Sequence, residues 1–89
     1  LNGITQSLAR ELGPWGIRVN AIAPGPTDTE ATRSIVPQQY LKAMLAQMPL
    51  ARVGTPQDLV GTMLFLLSAD AGWMTGQIIN VDGGQIMRP

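Results

Sequence analysis

The apolar pattern predicts an α/β fold built on a parallel sheet, and three observations carry that expectation. An alternating run over Ile17–Ile22 stays apolar to Ala23 and stops at Pro24-Gly25. A second run, Gln77–Val81, stops at Asp82-Gly83-Gly84, and a stretch of helical periodicity from Pro56 to about Ala69 lies between them. A strand, a crossover helix and a second strand form a βαβ unit, for which parallel pairing and a right-handed crossover are strongly favoured. Two parallel strands make no covered sheet by themselves, because parallel sheets are buried on both faces. The chain therefore reads as one part of a larger α/β sheet.

Each element has its own warrant. Leu1, Ile4, Leu8 and Leu12 recur at helical spacing with Ala9 beside them, and Gly13-Pro14 ends that helix. Asn2 is a candidate N-cap, although the helix also reads as running back past residue 1. In the first strand the apolar side chains at 17, 19 and 21 alternate with Arg18 and Asn20. Residues 26–36 are loop-like, rich in Pro, Thr and Ser. Pro37 suits the first position of a short helix whose stripe is Tyr40, Leu41, Met44, Leu45 and Met48, ending near Pro49. Thr55-Pro56-Gln57-Asp58 is a strong helix start, with a hydroxyl at the N-cap, Pro at N1 and an acid at N3. The helix that follows is apolar nearly all round, which predicts burial on more than one side.

Composition bounds the function. Charged residues are 13% of the 89, about half the usual share of roughly 25%. Either an oligomer covers much of the surface, or the chain is a piece of a larger domain. Net charge is zero and the six cations are scattered, so no basic stripe marks a nucleic-acid partner. Cys and His are absent, which removes disulfides, thiolate metal sites and the commonest metal ligand and general base. The longest apolar run, near Leu59–Leu67, is too short to span a bilayer. The expectation is a soluble, cytoplasmic protein with no metal, no membrane and no nucleic acid.

No residue here is assigned a catalytic role. General acid–base work needs a side chain poised to give or take a proton. Tyr40 is followed by Met44 rather than a spaced Lys, Lys42 is the sole Lys, and Ser7, Ser34 and Ser68 have no His to activate them. The stretch Asn20–Thr29, NAIAPGPTDT, offers binding chemistry instead. It lies beyond the carboxyl end of a strand, where ligands of open α/β sheets bind. Pro24 shapes the exit, Gly25 permits close backbone approach, and Thr27 and Thr29 bring hydroxyls. A plain structural turn explains the same residues.

Three motifs then tip the reading. Ser7–Gly25 (SLARELGPWGIRVNAIAPG), Arg52–Leu59 (RVGTPQDL) and Thr75–Gly84 (TGQIINVDGG) resemble the short-chain dehydrogenase/reductase family, in order and over nearly the whole chain. The resemblance implies the C-terminal part of a Rossmann-like doubly wound parallel sheet, with residues 1–89 a segment of a single domain. The family's glycine-rich loop, its catalytic Asn and Ser, and its Tyr-x-x-x-Lys pair belong before Leu1, so the segment alone is expected to be inactive. The complete protein would interconvert a ketone and a secondary alcohol with NAD or NADP, for example as a 3-oxoacyl reductase-like enzyme.

The cofactor residues implied are Pro24, Gly25, Thr27 and Thr29, with the Thr27 backbone meeting the nicotinamide carboxamide and the Thr29 hydroxyl helping to hold the cofactor. Thr27 departs from the family's usual aliphatic residue. Residues 30–50 resemble the variable substrate loop, which makes Ile35, Val36, Tyr40 and Met44 substrate-side walls. Helix 56–69 and strand 77–81 are the expected faces of a homo-oligomer. The rival from another class is a non-catalytic fragment or interaction module that folds only with a partner.

Overall fold

The computed structural model describes residues 2–30 and 35–87. Leu1, Thr32 and Ser34, which the sequence places in the first helix and in a loop, lie outside the described residues. The element order is helix α1 (Asn2–Leu12), strand β1 (Ala21–Pro24), helix α2 (Gln38–Ala46), helix α3 (Pro56–Leu67) and strand β2 (Ile78–Val81). The strands pair in parallel, with Ala21 opposite Ile78 and Pro24 opposite Val81. This is the predicted α/β arrangement.

α1 turns inward a face rotated from the predicted stripe toward Ala9. Thr5 and Ala9 are its buried residues and Leu12 is half-buried, while Ile4 is 64% exposed. Ala9 marks a close approach: a Cβ built on Gly76 would sit 3.4 Å from the Ala9 Cβ. Only a small side chain fits there, where the helix meets the chain entering β2. The helix also ends differently. Gly13–Trp15 continues as a 3-10 turn, and the left-handed residue is Gly16 (φ 75°), whose N–H donates to the Gly13 carbonyl.

β1 starts at Ala21 rather than Ile17, because residues 17–20 meet chain that is not yet strand. Their bonds run partly through side chains. Val19 N–H donates to Thr75 Oγ1 (3.0 Å), Asn20 Nδ2 donates to the Met74 carbonyl (3.0 Å), and Gln77 N–H donates to Asn20 Oδ1 (3.1 Å). Arg18 reaches across to the end of α3, donating to the Leu66 carbonyl (2.8 Å) and the Ser68 carbonyl (3.3 Å). The Leu66 carbonyl is in the last turn of the helix, where carbonyls lack intrahelical partners, and the Ser68 carbonyl, at the C-cap, also accepts the Ala71 N–H at 3.2 Å.

Pro37 precedes α2 as its N-cap (φ −61°, ψ 145°), one position earlier than predicted. Glu30 and Ile35 have helical backbone, so the loop expected over 26–36 is shorter than its composition indicates. α2 buries none of its residues; Met48, just beyond it, is 6% exposed. α3 begins as predicted: the Asp58 carboxylate accepts the Thr55 N–H at 2.7 Å and the Thr55 hydroxyl at 3.1 Å. It ends two residues sooner, and a 3-10 turn over Ala69–Ala71 follows.

The predicted burial of α3 on several sides is not realised within this chain. Leu66 is its buried residue, whereas Leu64 and Leu67 are 63% and 78% exposed. The Cα radius of gyration, 15.3 Å, exceeds the roughly 12 Å of a compact domain of this length. The described residues thus form one slice of a sheet with its flanking helices, and they do not close around a core of their own. No helix among them is long and apolar enough to cross a membrane.

Candidate cofactor rim and lid

The carboxyl end of the sheet is assembled by backbone. Gly25 N–H donates to the Val81 carbonyl (3.1 Å), extending the β1–β2 ladder by one residue. Backbone pairing continues past Pro24, since the Asp28 N–H donates to the Gly54 carbonyl at 2.7 Å. Gly54 N–H in turn donates to the Pro26 carbonyl (2.8 Å), making a parallel bridge between Thr27 and Gly54. That bridge uses the peptide groups flanking Thr27. By the geometry of a parallel ladder, Thr27's own N–H and C=O then point to the opposite edge. One donor and one acceptor, side by side, match what a carboxamide offers in return.

Gly25 permits a close backbone approach, as the sequence suggested. A Cβ there would lie 2.7 Å from the Asp82 Cβ and 2.8 Å from its Cα. That close partner is the turn after β2. The Thr27 hydroxyl donates back to the Gly25 carbonyl (2.9 Å), holding the loop in shape. Thr29 is exposed two residues further on, and Pro24 is the exposed last residue of β1.

A pocket of about 190 Å³ lies behind this loop, lined by Gly25, Thr27, Met48, Arg52, Asp58 and Gly83 among others. It is smaller than the roughly 300–1,000 Å³ usual for ligand sites. Its charges are mutually satisfied: Arg52 grips Asp58 with both nitrogens, at 2.8 and 2.9 Å. The Arg52 hydrogen bonds, with help from the Thr55 N–H, hold the Asp58 carboxyl well below the usual carboxylate range. Asp58 thus caps α3 as expected and pairs with Arg52 besides, which leaves no net charge to recruit a ligand.

Of the eight residues singled out from the sequence, Gly25 and Thr27 line that pocket, while Pro24, Thr29, Ile35, Val36, Tyr40 and Met44 lie outside it. Tyr40 and Met44 sit four residues apart on α2, which places them on one face of the helix. Tyr40 and Ile35 are 65% and 76% exposed; Val36 and Met44 are half-buried. Sequence reasoning missed the Thr27–Gly54 bridge and the Gly25–Asp82 contact. The coincidence of Gly25 and Asp82-Gly83-Gly84 at the two strand ends was the available signal. Among the described residues no group of three or more His, Cys, Asp or Glu is placed to hold a metal ion.

Comparison with known proteins follows the same lines. Residues 1–85 match the family described as enoyl-(acyl carrier protein) reductase. An uncharacterized oxidoreductase of Mycobacterium tuberculosis is 65% identical over 88 residues, covering 99% of this chain and 36% of that protein. A 3α-hydroxysteroid dehydrogenase of Mediterraneibacter gnavus is 49% identical over 83 residues, 93% of this chain and 33% of that protein. Among solved structures, a proposed 2-deoxy-D-gluconate 3-dehydrogenase of Agrobacterium tumefaciens with bound NADP superposes with a TM-score of 0.89 at 42% identity, covering 98% of this chain and 36% of that one. The chain spans about a third of the length of these proteins.

Proposed function

The chain belongs to the short-chain dehydrogenase/reductase family, and on that premise we propose that it forms the nicotinamide-side rim, the substrate lid and an oligomer face of an NAD(P)-dependent oxidoreductase. The observation that carries this reading is the Thr27–Gly54 bridge, which fixes the Thr27 peptide with its N–H and C=O at the edge away from Gly54. Pro24 and Gly25 bring that peptide to the carboxyl end of the strand, and Thr29 stands beyond it. Bound NAD(P) would supply the hydride chemistry that interconverts a ketone and a secondary alcohol. This chain's residues orient the carboxamide and contribute no proton-transfer group. Residues 1–89 are then the C-terminal segment of a single Rossmann-like domain.

The lid assignment rests on α2, which follows the rim in sequence and buries none of its residues. Ile35, Val36, Tyr40 and Met44 form its candidate substrate wall. The oligomer face rests on the exposed apolar side of α3, where Val60, Met63, Leu64 and Leu67 share one face and stand outward. The substrate class is a carbonyl or secondary alcohol, in keeping with the dehydrogenase names of the two relatives above. A cytoplasmic location accompanies this reading.

The experiment compares two substitutions at one position in the full-length polypeptide. Thr27→Pro removes the rim N–H and spares the flanking groups that bridge to Gly54. Thr27→Val removes only the hydroxyl. NADH and NADPH titrations should show a loss of about tenfold or more for Thr27→Pro, as expected for one hydrogen bond left unmade at a ligand, and little change for Thr27→Val. Equal affinities for both variants and the parent protein would overturn the rim. Gly25→Val is unsuitable for this purpose, because its side chain would collide with Asp82.

A further inference from the structure

The turn after β2 touches both parts of the proposed site. On one side Gly25, the first residue of the rim loop, lies flat against Asp82, with no room for a Cβ. On the other side the turn seats the chain leaving α2. Gly83 has φ 63°, and a Cβ there would meet Met48 Cε at 2.9 Å and the Leu50 carbonyl at 3.0 Å. Gly84 has φ 87°, and a Cβ there would meet Pro49 Cγ at 2.9 Å. Leu50 N–H donates to the Gly83 carbonyl at 3.0 Å. The turn is itself held by the Asp82 carboxylate, which accepts the Gly84 N–H (3.0 Å) and the Ile86 N–H (3.1 Å).

α2 is lightly held: none of its residues is buried, Leu41, Met44 and Leu45 are half-buried, and Met48 in its exit segment is buried. We propose that Asp82-Gly83-Gly84 is the fulcrum linking the lid to the cofactor rim, with Asp82 the positioning residue. Gly83 and Gly84 fix the root of the lid at Met48–Leu50, and Asp82 fixes Gly25 at the start of the rim. A displacement of either part is felt at the other through three consecutive residues. The proposal rests on the reading of residues 25–29 as rim and of the described residues 35–50 as lid.

Hydrogen exchange followed by mass spectrometry on the full-length polypeptide, without cofactor, tests the mechanical link. Gly84→Ala places a Cβ against the stiff Pro49 ring at a positive φ. Amides over 38–47 should then exchange about tenfold faster while α1 keeps its parent rate, since local opening is specific to the unit whose anchor is lost. Adding Pro49→Ala removes the contacted ring atoms and should restore part of the protection. In turnover with a carbonyl substrate, Gly84→Ala should raise KM more than it lowers kcat, and NAD(P)H affinity should fall by at least about twofold, because the displaced lid root is felt at the rim.

Unchanged exchange over 38–47 in folded Gly84→Ala, or acceleration spread evenly over α1 and β1, would overturn the fulcrum. If Gly84→Ala does not fold, Asp82→Asn decides. Faster exchange at 25–29 and 38–47 together supports the link; change confined to 82–87 refutes it. Failure of the parent protein to bind NAD(P)H would remove the rim reading and leave the exchange result standing, so the two failures are distinguishable.

Discussion

The two ends of the β1–β2 pair are built by different mixtures of contacts. At the amino end, polar side chains supplement the backbone bonds from Gly76 to Val19 and from Ala21 to Gln77: Asn20 bridges Met74 and Gln77, Thr75 accepts from Val19, and Arg18 ties down the carbonyls of Leu66 and Ser68. At the carboxyl end, the segments are joined by backbone, and the Thr27 and Asp82 side chains brace their own turns. Gly25, Asp28, Leu50 and Gly54 donate to main-chain carbonyls, and glycines occupy the closest approaches at 25, 83 and 84. The difference teaches where a site can form. Side chains consumed in joining cannot also bind. The end held by peptide groups and missing Cβ atoms is the one where the proposed rim lies, at the Thr27 peptide edge.

The contrast is broken most severely at its tightest glycine. Gly25→Val should cost about 3 kcal/mol or more, the upper range for overpacking, because Asp82 Cα and Cβ cannot retreat without moving β2. Urea unfolding of the full-length protein measures it. A loss below about 1 kcal/mol would mean the ends approach less closely than the geometry indicates.

At the opposite end, Arg18→Ala removes two charge-assisted bonds to part-buried carbonyls and should cost about 2 kcal/mol. Arg18→Lys should recover only part of it, since an ammonium does not reproduce the guanidinium fork. The same unfolding curves report both variants.

The mildest test concerns the Arg52–Asp58 pair, whose side chains are 60% and 34% exposed. The folded-state pKa of Asp58 is depressed, first by the Arg52 hydrogen bonds and next by the Thr55 N–H. The unfolded chain therefore takes up this proton first as pH falls through the ordinary value of about 4. The pair's stabilisation is present above that pH and is lost progressively below it. Asp58→Asn should flatten this part of the stability–pH profile by a small amount; an unchanged profile would show that the pair contributes nothing.

The sequence made some of this legible and hid the rest for physical reasons. Thr55-Pro56-Gln57-Asp58 announced α3 because capping is local: the Asp58 carboxylate and the Thr55 N–H lie three residues apart. Pro24-Gly25 and Asp82-Gly83-Gly84 marked the strand ends for the same reason. The face α1 turns inward was not local. Its apolar periodicity centred on Ile4 and Leu8, but the helix meets Gly76 at Ala9, and Thr5 and Ala9 are the residues it buries. Likewise β1 was placed four residues early. Arg18 and Asn20 alternate as strand residues do, yet their side chains reach Leu66 and Met74, almost fifty residues or more along the chain.

At the site, Gly25 was legible as a point of close approach and its partner Asp82 was not, because a missing Cβ shows that something is close without saying what. The Thr27–Gly54 bridge left no trace in composition. The exposed apolar side of α3 was visible as an excess of Leu, Met and Phe, and Leu67→Lys probes it better than Leu66→Lys, since Leu66 is buried and Leu67 is 78% exposed.

The rim itself is tested most directly by nuclear magnetic resonance of the full-length polypeptide, selectively 15N-labelled at Thr and Asp and titrated with NADPH or NADH. The Thr27 amide resonance should move on saturation, while that of Asp28, committed to the Gly54 carbonyl at 2.7 Å, should move much less. A Thr27 amide that stays in place with the cofactor demonstrably bound would contradict the account.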